Sequence, residues 1–420
     1  MDASTKITVV SWNFNAGSRQ FASAEIEALR RRGCLYRLLT PDFRVEVYVR
    51  KCPVFSSRRT LITFRSLFVS RSPFPLRSRL SLLLQLFSLF LSGLGHRILF
   101  RLARITAGWI RPRRSRRDLR EHWFDRFAAR HLGDPDLVYL DKANFPVTIE
   151  TAGRRSIPVA AFQAMPHPYE LAKVVRGEAE RFGGSSSVLD VPWSERRARA
   201  MAGAGLLIAH SRLVADSDRA RGIPAEKIRI AYGCVDSGFY RPPDREKKPP
   251  FTVLFVGHDV LIKGLFYLLR AWEKIPSSQL RLVIAGDVPR SVLNGIEAHN
   301  PVQIRGVLSR EQMRDAYQEA YLLVHPAVID AGPKVVLEAM ASGLPVILTR
   351  ACGYSEIVPD GRAGYIIPPR DPDAVAEKIL YCRNHPEHVR EMGIEARAVS
   401  ERLSPVEHGE TVAGFLAEMS

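Results

Sequence analysis

Three short runs in the C-terminal half carry residue types suited to holding an anionic, hydroxyl-bearing ligand. The first is Gly257-His258-Asp259-Val260-Leu261-Ile262-Lys263-Gly264, which follows an apolar run and leads into a helical pattern. Backbone N–H groups at a helix start, with a lysine beside them, suit a phosphate, and Lys263 would neutralise a diphosphate leaving group. An exposed turn lysine is the ordinary alternative. The second run is Asp330-Ala331-Gly332-Pro333-Lys334-Val335-Val336-Leu337-Glu338. Gly332 and Pro333 make a tight turn into a helix that starts at Lys334, whose first N–H groups form a second anion cradle. Asp330 and Glu338 lie eight residues apart, one before the helix and one on its second turn. A carboxylate is a good acceptor for paired hydroxyls. Glu338 is surrounded by Val335, Val336, Leu337, Ala339 and Met340, so it reads as a buried acid that needs a partner rather than a solvated one. The third run, Gly343-Leu344-Pro345-Val346 with Thr349, Gly353 and Glu356 after it, positions the next strand and turn.

A regular alternation of strand and helix patterns must place these runs. Strands are expected at 252–256, 281–285, 302–305, 321–324 and 346–348, and helices at 264–274, 310–320 and 334–342. That alternation implies a parallel sheet with helices on both faces, whose ligand site lies beyond the carboxyl ends of the strands. The N-terminal half opens on a strand at 6–11, a loop with Asn13, Asn15 and Gly17, and a helix at 22–32 stopped by Gly33. Further on, 124–131 reads as a helix, and 137–140, 157–162, 205–209 and 228–231 read as strands. The polar segment 242–250 has proline at both ends and reads as a linker. The fold class is therefore α/β, with two doubly wound, Rossmann-like domains facing across a cleft.

The chain has 420 residues, too many for one ordinary core, and its 46% hydrophobic and 25% charged content excludes global disorder. Its net charge of +17 is concentrated: residues 51–117 hold 15 Lys and Arg and no acid. Residues 81–95 form the longest uncharged stretch, and its 15 residues fall short of the ~18–20 that span a bilayer. The N-terminus lacks a basic and apolar leader, so a cytoplasmic location is expected. The cysteines Cys34, Cys52, Cys234, Cys352 and Cys382 are odd in number and without a CxxC pair, which reads as a reducing compartment with neither disulfide frame nor zinc site. Asp-X-Asp pairs occur at Asp134/Asp136, Asp216/Asp218 and Asp371/Asp373, but none directly follows an expected strand at the site, so no metal motif is read.

Residues 251–373 resemble the donor-binding domain of the retaining glycosyltransferases of family 4, which have the GT-B fold. The runs that carry the likeness are FVGHDVLIKGLFYLLRAW, LRLVIAGDVP, DAGPKVVLEAMASGLPVI and GYSEIVPDGRAGYIIPP, and residues 210–240 resemble the family's approach to the linker. The resemblance implies a retaining, metal-independent transfer of a sugar from a nucleotide-sugar donor, linked to UDP, GDP or ADP, to a glycan or lipid-linked acceptor. No cofactor is implied beyond that co-substrate. It assigns Glu338 to the donor ribose. Asp330 falls where the family has a glutamate touching the donor sugar, and its shorter reach implies an altered sugar pocket. His258 falls where the family has a phosphate-binding arginine, whereas Lys263 matches. Gly17 falls in the glycine loop that meets the donor, and His167, in Ala164-Met165-Pro166-His167-Pro168-Tyr169, falls where a histidine contacts the transferred sugar; a surface histidine flanked by prolines is the alternative. The nucleoside would lie against Gly286, Asp287, Gly306, Val307 and Glu338, with Lys263 and the N–H groups near Gly332 at the leaving diphosphate; Pro333, Lys334 and Val335 are also donor-binding, and Lys263, Asp330 and His167 are the catalytic set. Residues 1–241 would then be the acceptor-side domain, with an atypical basic and apolar region at 42–120. Residues 251–400 would be the donor domain, and 401–420 a helix packing back on the N-terminal domain.

The basic stretch 51–117 has no acid to balance it, and leucines and phenylalanines lie between its arginines. That pattern points to a peripheral contact with an anionic membrane on its inner face, consistent with polysaccharide biosynthesis, with an atypical insertion or a solvated loop region as the alternatives. Nucleic acid is disfavoured, since no zinc-finger, RNP or helix-turn-helix pattern accompanies the charge. A nucleotide-sugar epimerase or phosphorylase of the same fold, or a non-catalytic binding relative, are the rival readings.

Overall fold

The computed structural model describes residues 5–11, 19–33, 35–40, 44–47, 114–183, 191–244, 248–276, 279–288, 290–294, 296 and 299–419. Gly17 and residues 51–113 of the basic stretch lie outside the described residues.

Two sheets organise the chain. The N-terminal sheet contains β1 (Ile7–Val10), β2 (Leu35–Thr40), β3 (Arg44–Val47), β4 (Leu137–Leu140), β5 (Val159–Gln163), β6 (Leu206–Ala209) and β7 (Ile228–Ile230), in spatial order β3-β2-β1-β4-β5-β6-β7. All its neighbours are parallel except β3, which runs antiparallel to β2 at one edge. The C-terminal sheet contains β8 (Phe251–Val256), β9 (Leu280–Ala285), β10 (Val302–Gly306), β11 (Leu322–His325), β12 (Val346–Thr349) and β13 (Gly364–Ile367), all parallel in the order β10-β9-β8-β11-β12-β13. The strands are short runs of Val, Ile, Leu and Ala buried on both faces, as a sheet covered by helices on each side requires.

The strand order reverses once in each sheet, between β1 and β4 and between β8 and β11. At such a switch point a ligand binds in the crevice beyond the carboxyl ends of the strands. In the C-terminal sheet the loops leaving the two central strands are 257–264 and 326–333, which contain Lys263 and Asp330.

Several elements differ in extent from the sequence expectation. The helix expected at 124–131 is the end of a longer one, α2 (Arg114–His131), which follows α1 (Arg19–Arg31) in the described chain. The strand expected at 321–324 runs one residue further and ends on His325. Helices α3 (Pro146–Arg154), α4 (Pro168–Phe182), α5 (Val191–Gly203) and α6 (Arg212–Arg219) fill the N-terminal half between strands. The C-terminal half adds α7 (Leu265–Lys274), α8 (Arg310–Glu319), α9 (Lys334–Ala341), α10 (Pro372–Asn384) and α11 (Pro386–Glu401).

The chain passes between the halves twice, through the segment after β7 and again after α11, and the two crossings are tied by Val235 N–H donating to Leu403 O at 2.9 Å. After the second crossing, α12 (Pro405–Ala417) lies on α1. Its Val412, Ala413 and Leu416 join one core with Ile7, Val9, Ile26 and Leu29. Buried His408 donates through Nδ1 to Tyr232 O at 2.8 Å and places Nε2 3.1 Å from Glu25 of α1.

Candidate functional site

The loops after β8 and β11 are knitted together before any side chain is considered. Val328 N–H donates to Ile262 O at 2.9 Å, and Lys263 N–H to Asp259 O at 3.0 Å. Gly264 has φ 74°, and a Cβ there would collide with the Pro326 carbonyl oxygen, so only glycine permits this approach. The consequence is that the Lys263 ammonium meets Asp330 directly, ion-pairing with its Oδ2. His325, fully buried at the end of β11, places Nε2 2.8 Å from the same oxygen. Burial holds the imidazole below its usual pKa, so His325 is neutral near pH 7 and donates Nε2–H to the carboxylate. Burial alone would raise the Asp330 pKa, but Lys263 and His325 outweigh it and hold the carboxyl well below the usual range. The pair is therefore a charged, hydrogen-bonded unit at the switch point.

Glu338 occupies the inner face of α9. Tyr317 of α8 donates its hydroxyl to Glu338 Oε2 at 2.9 Å. Burial raises the Glu338 pKa, an effect that Tyr317, Lys334 and Tyr240 partly offset. Lys334, one helical turn before it, has its own pKa lowered by burial, with Glu338 opposing that shift. The acid that the sequence marked as needing a partner thus has one from the preceding helix.

Glycines form the floor. Gly286 has φ 134° and donates N–H to Gly306 O at 2.8 Å, while a Cβ on it would strike the Gly257 carbonyl. Gly306 has φ 71°, and Val307 beside it is 76% exposed. This leaves an open apolar surface at the end of β10. A Cβ on Gly332 would stand 2.9 Å from the Tyr354 ring, so the turn before α9 lies directly on that ring. His258 is exposed on its loop and is not part of the Lys263–Asp330–His325 cluster.

The N-terminal half contributes two histidines. His167 caps α4 and is buried: its Nδ1 accepts from Tyr169 N–H at 3.4 Å, and its own N–H donates to Ser217 Oγ at 2.8 Å. Burial first, then Arg221 and Arg197, lower its pKa to about 4, against a smaller opposing effect of Glu170. With Nδ1 accepting, the proton of the neutral ring lies on Nε2, which leaves a donor. The α4 residues after it pack on Ile262, Val328 and Ile329, so His167 belongs to an element that touches both central loops. His210, just beyond β6, is within 2.8 Å of the Tyr354 hydroxyl, which also accepts from Gly233 N–H at 3.1 Å. Burial, with His408 and Lys334 adding to it, lowers the His210 pKa to about 3 despite Asp330.

The structure thus brings Lys263, Asp330, Gly332, Pro333, Lys334, Val335 and Glu338 to the loops and helix flanking one switch point, with Gly286 and Gly306 at the neighbouring strand ends. His325, Tyr317, His210 and Tyr354 are additions that the sequence did not reveal. His325 had one visible sign, a histidine closing an apolar strand run. Asp371, one of the Asp-X-Asp acids, is a helix cap that accepts from Ala374 N–H at 2.9 Å.

Two doubly wound sheets of like strand order, joined by two crossings and sealed by a final helix on the first domain, constitute the GT-B fold. Residues 236–399 match the family model of the glycosyl transferases group 1. Sulfoquinovosyl transferase SQD2 of Arabidopsis thaliana is 28% identical over 193 residues, which cover 42% of this chain and 37% of that one. Lipopolysaccharide glucosyltransferase WaaG of Escherichia coli K12 is 30% identical over 135 residues, covering 30% and 36%. Among solved structures, Anabaena HepE in complex with UDP and glucose superposes with a TM-score of 0.62 at 16% identity, covering 99% of this chain and 100% of that one. That last likeness is one of fold. The aligned segments span little more than a third of these curated relatives' length.

Proposed function

We propose that this chain is a glycosyltransferase that moves a sugar from a nucleotide-diphosphate donor, a UDP-sugar first among candidates, to a glycan or lipid-linked acceptor with retention of configuration. The observation that carries the reading is the Lys263–Asp330 ion pair at the switch point, one short helix away from Glu338. The match of 236–399 to the group 1 family covers all three residues. The complexes of HepE with UDP and with UDP-glucose favour the uridine donor.

In this reading the donor base lies over Gly286 and the exposed Val307, and Glu338 accepts from the ribose hydroxyls. As the glycosidic bond loosens, negative charge grows on the leaving diphosphate. Lys263 and the amides at the start of α9 stabilise that charge, which is electrostatic catalysis by groups already in place. Asp330 has two tasks. It holds the Lys263 ammonium in place before the donor arrives, then accepts from a sugar hydroxyl once the ammonium turns to the diphosphate. His167, neutral with Nε2–H free to donate, meets the sugar from the other half. The basic stretch 51–117 favours an acceptor presented at an anionic membrane surface.

Incubation with a panel of UDP-, GDP- and ADP-sugars, with mass detection of products, tests the proposal. Nucleotide release from at least one donor is expected, and Lys263→Ala should lower that turnover by about 100- to 1,000-fold. Release from no donor, or turnover in Lys263→Ala near that of the wild type, would sink it.

A further inference from the structure

Helix α4 carries His167 at its N-cap and turns one face to the C-terminal half. Leu171, Val175, Glu178 and Phe182 follow at spacings of four, three and four, so they form a single stripe. Leu171 and Val175 pack with Ile262, Tyr267, Val328 and Ile329. Glu178 interrupts this otherwise apolar stripe and is 0% exposed. A carboxylate so placed requires partners, and both of its strongest ones come from the other half. Its Oε1 accepts from Arg370 Nε at 2.6 Å, and its Oε2 from the Tyr267 hydroxyl at 2.8 Å. Arg181 adds a bond to the Tyr267 hydroxyl at 3.3 Å. Phe182 stacks on Phe266 at 4.7 Å and meets Tyr267 edge-on at 5.3 Å. Arg370 holds its end of the arrangement at φ 64°, a left-handed conformation unfavourable for a residue with a side chain. Such strain persists only where surrounding contacts over-determine it, and it gathers at functional sites.

Resting on the glycosyltransferase reading, we propose that Glu178 is a positioning residue: it clasps α4 to the C-terminal half and so fixes where His167 stands over the donor sugar. The chain joins the halves at two crossings, and this clasp adds a side-chain junction to those of His210 with Tyr354 and Arg212 with Glu356. His167 and Glu178 are eleven residues apart, about 16 Å along a helix. A tilt of roughly 4° about the clasp moves His167 by about 1 Å, and a misplacement of that size costs on the order of 100-fold in rate. The groups assigned to the nucleotide, Gly286, Gly306, Lys334 and Glu338, all belong to the C-terminal half, so losing the clasp leaves nucleotide binding in place.

The test uses the full chain with Glu178→Ala, Glu178→Gln and Tyr267→Phe. Three quantities are read: steady-state UDP release from UDP-glucose, UDP affinity by calorimetry, and amide hydrogen exchange in α4 and α7. In Glu178→Ala, kcat should fall about 10- to 100-fold while KM and the UDP Kd stay within about twofold of wild type, and exchange should rise in both helices. Glu178→Gln keeps both contacts in shape and should restore most of kcat, with Tyr267→Phe intermediate. Wild-type exchange and turnover in Glu178→Ala would overturn the clasp, as would a UDP affinity that falls in step with kcat. If the wild type releases UDP from no donor, the glycosyltransferase reading fails by itself. Exchange then still decides the clasp: a rise in both helices supports it, and no change overturns it.

Discussion

His210 is neutral because of where it is buried, and that has a thermodynamic cost with a definite sign. Its pKa of about 3 in the folded chain lies below the ~6.5 of an unfolded histidine. Below pH 6.5 the unfolded chain takes up a proton that the folded chain refuses, so this contribution to stability is complete above pH 6.5 and is lost as pH falls toward 3. The loss is about 1.4 kcal/mol per pH unit. Between pH 7 and pH 5 the wild type should lose about 2 kcal/mol that a His210→Asn variant keeps, measured as the pH dependence of urea unfolding. Parallel profiles for the two proteins would show that His210 is not held neutral. Asp330 shows the opposite logic: its charge is secured by Lys263 and His325, which is why an acid this deep remains ionised.

At the scale of elements, the site depends on two loops being brought into contact by a glycine. Gly264→Ala should strain the left-handed turn and push its Cβ into the Pro326 carbonyl, lowering stability by roughly 2 kcal/mol or more and displacing Lys263. Chemical denaturation checks the first effect, and donor turnover the second. An unchanged midpoint would mean that the loops part without cost. The same loops show what the sequence could and could not reveal. The C-terminal strands were legible because a parallel sheet covered on both faces needs unbroken runs such as Thr252-Val253-Leu254-Phe255-Val256. Their spatial order was not: Lys263 and Asp330 are 67 residues apart and meet only because β8 and β11 are neighbours. Tyr317, the partner that Glu338 required, depended in the same way on how α8 packs beside α9. In the N-terminal half, α4 was hidden by its own start. Pro166-His167-Pro168 looked like loop, although proline at the first helical position, after a capping side chain, is a helix-opening arrangement.

The whole molecule is strongly basic, and 15 of its 61 basic residues fall in 51–117, a stretch without acids. Among the described residues no helix is long and apolar enough to cross a membrane. If the charge serves a lipid surface, the full chain should float with vesicles rich in phosphatidylglycerol at about 50 mM salt and release at about 500 mM, where screening shortens to a few ångströms. Failure to float at low salt would remove the membrane from the account. A different consequence follows from α12. The sheet of the first domain ends with β7 at Ile230, yet its core closes only when Val412, Ala413 and Leu416 arrive. At about 5–20 residues per second, a ribosome needs roughly 10–40 s to make the intervening stretch. Throughout that interval the first half lacks the helix that covers this apolar face. A nascent chain stalled anywhere in the second half therefore presents that apolar face to a chaperone.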